Sequence, residues 1–255
     1  MLILSHILLK FAAGFYGFSC LVAVVFPGRR WYPFLLMPAL TANAAAVFLR
    51  YHLAWPMLPM YLAPSGLPLL LGIMAFAAGR QDPSGRVRRI ILSLALVTSL
   101  MAVFFPKDFY LPFLKSQGVS AHLFLLFGMA GRACFLVSAA WALSSLLPTP
   151  PSTGHRPTLT DHRYFRWAVW GFAFWTLSMF AGELWSYLGW GTPVVWDDPA
   201  ITTVMATWFF YVCLLHLQLT GTWSARGRTV YAALGAVVVF GLNCLPEWGP
   251  FRWLW

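Results

Sequence analysis

The chain has 255 residues, of which 60% are hydrophobic and only 9% are charged, and its formal net charge is +10. A soluble globular chain carries about 25% charged residues, so this composition excludes a soluble domain and a disordered chain. The basic residues stand in short clusters between apolar runs, which argues against a nucleic-acid partner, and four isolated cysteines exclude a disulfide scaffold. An integral membrane protein in contact with membrane lipid remains.

The apolar runs are continuous rather than alternating, so they predict helices, each of which needs about 20 residues to cross a bilayer. We predict an all-α, polytopic transmembrane helix bundle that forms one integral membrane domain over residues 1–255. In chain order the eight predicted spans are 3–26, 34–49, 65–79, 90–105, 120–147, 167–188, 201–220 and 229–245. The first span is long for a signal peptide and has no small-residue cleavage site, so we expect it to be retained.

Lys and Arg are unevenly distributed over the connections between these spans. One alternating set of connections carries eleven of them, whereas the other set and the C-terminal tail carry four. Because positively charged loops stay in the cytoplasm, we expect the first set to be cytoplasmic and both termini to be external. The segment 189–200, between spans six and seven, is then external. The positively charged cytoplasmic connections and their contact with anionic lipid explain the excess positive charge.

An ordered string of aromatic residues begins in span six and ends in span seven. It runs Gly182-Glu183-Leu184-Trp185, Trp190-Gly191, Trp196-Asp197-Asp198-Pro199, Thr207-Trp208-Phe209-Phe210-Tyr211 and Leu215-His216. Composition by itself favours an interfacial aromatic belt, since Trp prefers the headgroup level of a membrane. The order and spacing, however, resemble the tryptophan-rich signature of the haem-handling cytochrome c assembly family, the CcsA/ResC, CcmC and CcmF proteins.

The resemblance covers most of the chain from about residue 50 onward, and the chain looks like a divergent CcsA-like member. It departs from the family pattern in three places. The family's Lys-Glu after Asp-Pro is Ala200-Ile201 here, and its Asn-x-Tyr-Glu-Ser element is replaced by residues 60–64. The family's second external histidine, after the last span, is absent from the stretch 246–250.

The resemblance implies one or two molecules of haem b, bound without a covalent link. It implies that haem enters at an inner site and is presented at an outer one. It also implies a hetero-oligomeric complex, with a CcsB/ResB-like membrane partner or with a multihaem or c-type cytochrome. The location would be the bacterial inner membrane, or the thylakoid membrane in a plastid. The chain has no Cys-x-x-Cys-His motif, so it carries no covalent haem itself.

Four histidines lie near or within predicted spans, where an ionisable side chain is costly and is a candidate for function. His122 begins span five at its outer end, whereas His216 lies about 16 residues into span seven, roughly 24 Å below the outer end. The two cannot bind the same iron, so two haem positions are predicted. His6 and His52 lie at the external surface, and either would complete a bis-histidine site with His122. Ordinary interfacial histidines are the alternative.

The remaining predicted haem contacts lie in the aromatic string and in span five. The candidates are Trp185, Trp190 and Trp196 as a stacking platform, Asp197 and Asp198 beside it, and Arg132 as a partner for a haem propionate. The two aspartates could either orient a ring N–H or repel misplaced propionates. Arg132 could equally pair with Glu183, snorkel to the membrane surface or contact a partner.

Together these features predict a haem-binding membrane subunit that handles or presents haem at the external face for c-type cytochrome maturation. Whether it is part of a haem-ligating synthase stays open, because the chain offers no obvious acid–base catalyst. The alternative is a b-type haem subunit that transfers electrons between quinone and external cytochromes on a CcsA-like fold. A third hypothesis is a structural anchor without haem.

Overall fold

The computed structural model describes residues 2–26, 32–55, 62–78, 81–82, 84–104, 118–147, 163–194 and 199–244. The helices are α1 (Leu2–Val25), α2 (Tyr32–Ala54), α3 (Leu62–Ala78), α4 (Arg86–Phe104), α5 (Val119–Leu146), α6 (Arg163–Trp190), α7 (Pro199–Thr220) and α8 (Ala225–Val238). A short π-helix, Val239–Cys244, continues α8. Within these ranges no strand is present, and the predicted all-α bundle with eight helices is confirmed.

Most of the helices have the length and composition of membrane spans. Six qualify, namely α1, α2, α4, α5, α7 and α8 with its π-helical end. The apolar helix α3 is shorter, at 17 residues, and α6 lies outside the group although it has 28 residues. The chain is therefore a polytopic helical membrane protein, and its helices match the eight predicted segments.

Helix α2 ends later than the sequence predicted, at Ala54 rather than at 49, so His52 lies in the helix and not in the connection after it. Helices α3 and α4 begin earlier than predicted, at Leu62 and Arg86 rather than at 65 and 90. Pro64 occupies the first turn of α3, where proline is tolerated because the N–H it lacks has no partner within the helix. The arginines at the start of α4 are polar but favourable helix formers. Both helices thus extend beyond the apolar run that defined the predicted span.

The central helix of the bundle is α5, which packs against α3, α4, α6 and α8. Its residues 133–142 are all buried, as expected of a helix that is surrounded by others. Two glycines let α5 and α6 approach closely: a Cβ on Gly131 would lie 3.2 Å from the carbonyl oxygen of Gly171. Such small residues are typical of helix contacts in membranes.

A buried asparagine joins the first three helices. The side chain of Asn43 in α2 lies 3.2 Å from the Tyr16 hydroxyl of α1. In its favoured amide orientation it also donates to the Ser65 carbonyl and accepts from the Leu69 N–H of α3, at 3.0 and 3.1 Å. In a regular helix the Leu69 N–H donates to the Ser65 carbonyl. The Asn43 side chain links these two groups next to Pro68, and proline is a position where a helix commonly bends.

Candidate functional site

The end of α2 and the beginning of α5 meet at one end of the bundle. Tyr51 and Trp55 lie one helical turn apart at the end of α2, with ring centroids 5.6 Å apart. The His122 imidazole in the first turn of α5 contacts both rings, at 5.8 Å from Tyr51, edge-on, and at 5.4 Å from Trp55. From the charge distribution we expect this end to be external.

The hydrogen bonding of His122 indicates which of its two ring nitrogens carries the proton in the neutral form. Its Nδ1 lies 3.0 Å from the Gly118 carbonyl oxygen, and because a carbonyl only accepts, Nδ1 carries the proton. In the neutral ring, Nε2 then holds a free lone pair. Nε2 is buried and has no hydrogen-bond partner in the part of the chain that the structure describes. A buried polar atom left unpaired costs about 1–3 kcal/mol, and a partner for Nε2 would remove that cost.

An apolar cluster lies directly beside His122. This outer cluster consists of the buried residues Leu62, Ala63, Ala121, Leu125 and Met129. Tyr51 of α2 and Trp185 of α6 both pack against it, and Trp185 also lies 5.9 Å from the ring of Phe124. The structure therefore brings the predicted residues His122 and Trp185 to the same end of the bundle, with the outer cluster between them.

The glycine and tryptophan of the Gly182-to-Trp185 motif share a packing role. A Cβ on Gly182 would lie 2.9 Å from the ring of Phe124, so only glycine leaves room for that ring. Phe124 in turn packs against Trp185. At the end of α6, Gly191 adopts a left-handed conformation with φ of 74°, which ends a helix at little cost only for glycine.

The second half of the aromatic string holds α7 in the bundle. Asn243 in the π-helix donates to the hydroxyl of Thr207 at 2.7 Å, and the Trp208 indole donates to the Thr176 hydroxyl of α6 at 3.1 Å. Tyr211 stacks on Phe135 of α5, with centroids 3.5 Å apart. Thr207, Trp208 and Tyr211 therefore contribute to packing rather than to the His122 site.

His52 lies one residue after Tyr51 but on another side of α2. Its ring is exposed and stacks on Phe48, with centroids 5.9 Å apart and an angle of 5° between the planes. Successive residues of a helix are rotated by about 100°. That rotation directs Tyr51, rather than His52, to the His122 ring.

His6 is half-buried near the start of α1. Its Nδ1 is buried without a hydrogen-bond partner among the described residues, and its charged neighbours are Lys10 and Arg50. Arg50 is itself buried and donates from Nε to the Ser5 hydroxyl at 3.0 Å. The structure thus places His6 against a basic pair between α1 and α2, next to the turn that holds Tyr51.

Arg132 lies in the middle of α5, ten residues after His122 and hence about 15 Å further along the helix axis. Its guanidinium carbon is 5.7 Å from the centre of the Trp175 ring, a distance at which a cation is attracted to an aromatic face. The Trp175 indole donates to the Val204 carbonyl of α7 at 3.2 Å. Arg132 therefore belongs to a layer between α5 and α6 that is deeper than the His122 site.

His216 lies four residues before the end of α7, at the end of the bundle opposite to His122. Its side chain is exposed. Its backbone carbonyl accepts a hydrogen bond from the Thr220 hydroxyl at 3.0 Å. The structure therefore keeps the two predicted ligand histidines apart, as the sequence predicted.

Part of the predicted platform lies outside the described residues. Trp196, Asp197 and Asp198 belong to the gap between 194 and 199, and Trp190 is described only as the last residue of α6. Their roles stay predictions.

Tyr51 and Trp55, which contact His122, were not among the residues predicted from the sequence. The available signal was their spacing, since aromatic residues four apart lie on one face of a helix. What the sequence could not show is that this face meets the start of α5, about 70 residues later.

Comparisons with known proteins match this chain to one family. The model of a family described as cytochrome C assembly protein matches residues 65–242. The cytochrome c biogenesis protein CcsA of Microcystis aeruginosa is 31% identical over 134 residues, which are 51% of this chain and 40% of that protein. The proteins of the same name from Guillardia theta and Chlorella vulgaris are 35% and 34% identical over 89 and 91 residues.

These alignments cover only part of each relative. For the Guillardia and Chlorella proteins they span 33% and 34% of this chain and 29% of each relative. The chain thus matches less than half the length of the curated relatives. No solved structure matches it.

Proposed function

Because the chain belongs to the cytochrome c assembly protein family, we propose that it is a haem-binding membrane subunit for c-type cytochrome maturation. In this proposal His122 would bind haem iron through Nε2 at the external face of the membrane. The subunit would thus hold haem where an apocytochrome can reach it. The relatives are named as cytochrome c biogenesis proteins, which supports this proposal.

The observation that carries the proposal is the buried lone pair of His122 Nε2. The Gly118 carbonyl holds the proton on the other ring nitrogen, which is the tautomer that binds a metal through Nε2. Proteins commonly hold haem iron with one or two side chains such as histidine, so the Nε2 atom of His122 would suit haem.

Chemistry at the site would be divided between haem and protein. When bound, the haem supplies vinyl groups to which cysteine thiols can add. The chain contributes an axial nitrogen from His122 and aromatic surface from Trp185, with Trp190 and Trp196 as further predicted members of the platform. Asp197 and Asp198 are predicted beside the platform, and Arg132 is predicted to pair with a propionate. Of the two predicted second ligands, His6 would supply the external one, since His52 is exposed on another side of α2 and stacks on Phe48.

We also propose an inner haem position at His216. Its imidazole is exposed on α7, in a segment with the composition of a membrane span, and an ionisable group facing lipid there is unfavourable. A partner subunit would cover it and supply the second ligand. A CcsB/ResB-like membrane protein is the proposed partner, in the bacterial inner membrane or the thylakoid membrane.

A second candidate function is electron transfer from quinone to external cytochromes through haem b. It is favoured by the two histidines at opposite ends of the bundle, and by the absence of the family's C-terminal external histidine from residues 246–250. In that case haem would be retained rather than delivered. Deleting the gene separates the two functions, since loss of all c-type cytochromes supports maturation and normal cytochromes with slower quinol oxidation support electron transfer.

The test of haem binding is a pyridine haemochrome assay and visible spectrum of the purified protein and its H122A variant. We expect low-spin haem b in the wild type and loss of the outer haem in H122A. F180A is a matched control, because Phe180 of α6 is exposed and belongs to no predicted haem contact. A haem content that is the same in H122A and the wild type would refute the assignment of His122.

A further inference from the structure

The imidazole of His122 is held by two rings from a different helix. Tyr51 meets it edge-on, at an angle of 87° between planes, and Trp55 meets it at 55°. The two rings also contact each other, so they form one aromatic clamp. Neither ring contact supplies a hydrogen bond to Nε2, which is buried without a polar partner among the described residues. The nitrogen is therefore covered but not satisfied.

The two members of the clamp differ in how firmly they are held. Tyr51 is half-buried and packs against the outer cluster. Trp55 follows the last residue of α2 and is 59% exposed, although its ring lies nearer to His122 than that of Tyr51 does. An exposed side chain at a helix end can change rotamer rapidly. Trp55 can thus move away with little loss of buried contact, whereas Tyr51 cannot.

We propose that Tyr51 positions the His122 ring and that Trp55 is a movable cover over its Nε2 atom. A flat macrocycle reaches Nε2 only when the indole swings outward. The cover would keep other ligands off Nε2 before loading, and it would set the rates at which the macrocycle is bound and released. This inference rests on the proposed function in one respect, namely that the ligand admitted is haem.

A chemical probe tests the cover without haem. Diethyl pyrocarbonate acylates the free nitrogen of a neutral imidazole, and mass spectrometry of peptides reports the rate for each histidine. In the wild-type protein we expect His122 to react at least about tenfold more slowly than the exposed His52, as for a reactive state populated at about 10% or less. In W55A we expect the rate at His122 to approach that of His52.

The matched control is W170A. Trp170 of α6 is 57% exposed, close to the value of Trp55, and its described ring contact is with Phe174. This variant removes an equally exposed indole and should leave the rate at His122 unchanged. A fast rate in the wild type, or a slow rate that persists in W55A, would overturn the cover.

Tyr51 is tested by two variants of the same residue. Y51F keeps the ring edge and should leave the acylation rate and any haem spectrum unchanged. Y51L removes the edge, and we expect a mixture of high- and low-spin haem because the imidazole is no longer oriented. If the Y51L spectrum is the same as that of the wild type, Tyr51 does not position His122.

The haem-loaded protein separates the two proposals. If W55A accelerates acylation but no variant binds haem, the cover stands and the haem assignment fails. If haem binds through His122 and W55A changes neither acylation nor the rate of haem release, the haem assignment stands and the cover fails.

Discussion

His122 and His216 occupy opposite ends of the bundle and very different surroundings. His122 lies in α5, where 67% of the most apolar stretch is buried, whereas His216 lies in α7, where that share is 17%. Three helices of this chain contribute to the surroundings of His122, and its ring is clamped. The ring of His216 is exposed. The surroundings of His122 are thus largely built within the chain, whereas those of His216 leave room for the proposed second subunit.

The outward face of α7 differs in composition from that of α1. The exposed residues of α7 are mostly small or polar, namely Thr202, Ala206, Cys213, His216 and Thr220 beside the bulkier Phe209 and Leu219, whereas those of α1 are mostly bulky and apolar, such as Ile3, Phe11, Phe18 and Leu21. Bulky apolar side chains suit lipid, whereas small and polar ones are typical of contacts between membrane helices. This contrast supports a partner helix along α7.

The largest effect is expected from removing the His122 imidazole. Substitutions in the groups that merely orient a metal ligand lower affinity by 10- to 100-fold, so H122G should lower haem affinity at the outer site by more than about 100-fold. Added imidazole should restore part of the spectrum by filling the vacated space. H216A serves as the control, because it should leave this outer signal in place. An H122G spectrum identical to that of the wild type would contradict the assignment of His122 as a haem ligand.

The second largest effect is expected from a substitution in the contact between α5 and α6, and it is compared with a substitution on the exposed face of α7. A Cβ at position 131 would meet backbone atoms of α6 at 3.2 Å, and backbone cannot yield easily. We expect G131A to destabilise the purified chain by about 1–3 kcal/mol, seen as a lower thermal unfolding temperature in detergent.

On α7, A206L should change the stability of the purified chain by less than about 0.5 kcal/mol, because Ala206 is exposed. The same variant should weaken co-purification with the partner subunit. The comparison fails if A206L destabilises the isolated chain as much as G131A does.

The smallest effect concerns cysteine labelling. Cys213 is exposed on α7, one turn before His216, whereas Cys134 is buried in α5. A maleimide should label Cys213 in the purified chain and label it more slowly in the assembled complex. Cys134 should stay unlabelled in both samples. Equal labelling of Cys213 in the two samples would argue against a partner on this face.

The sequence predicted the helices well but some of their ends less well. All eight helices were expected from apolar runs. In lipid, a continuous apolar segment pairs its backbone N–H and C=O groups by forming a helix. The starts of α3 and α4 were placed too late, because Pro64 and the arginines after residue 85 are compatible with a helix but do not look apolar.

Within the candidate site, the sequence identified the residue types rather than their contacts. His122 and Trp185 were predicted, and the structure places both beside the outer cluster. Tyr51 and Trp55 were missed, while the neighbouring His52 was predicted. The choice between adjacent residues depends on how α2 is rotated about its axis, and packing against other helices decides that rotation.

The amino-acid sequence by itself determined that this is a helical membrane protein of the cytochrome c assembly type with histidines at two depths. Those properties follow from hydrophobicity, residue spacing and the fixed rise of a helix, all of which are local. Only the tertiary structure decided that α2 closes over His122 while α7 leaves His216 exposed. Contacts between helices far apart in the chain depend on which faces pack together, and many small packing terms spread over the bundle set that arrangement.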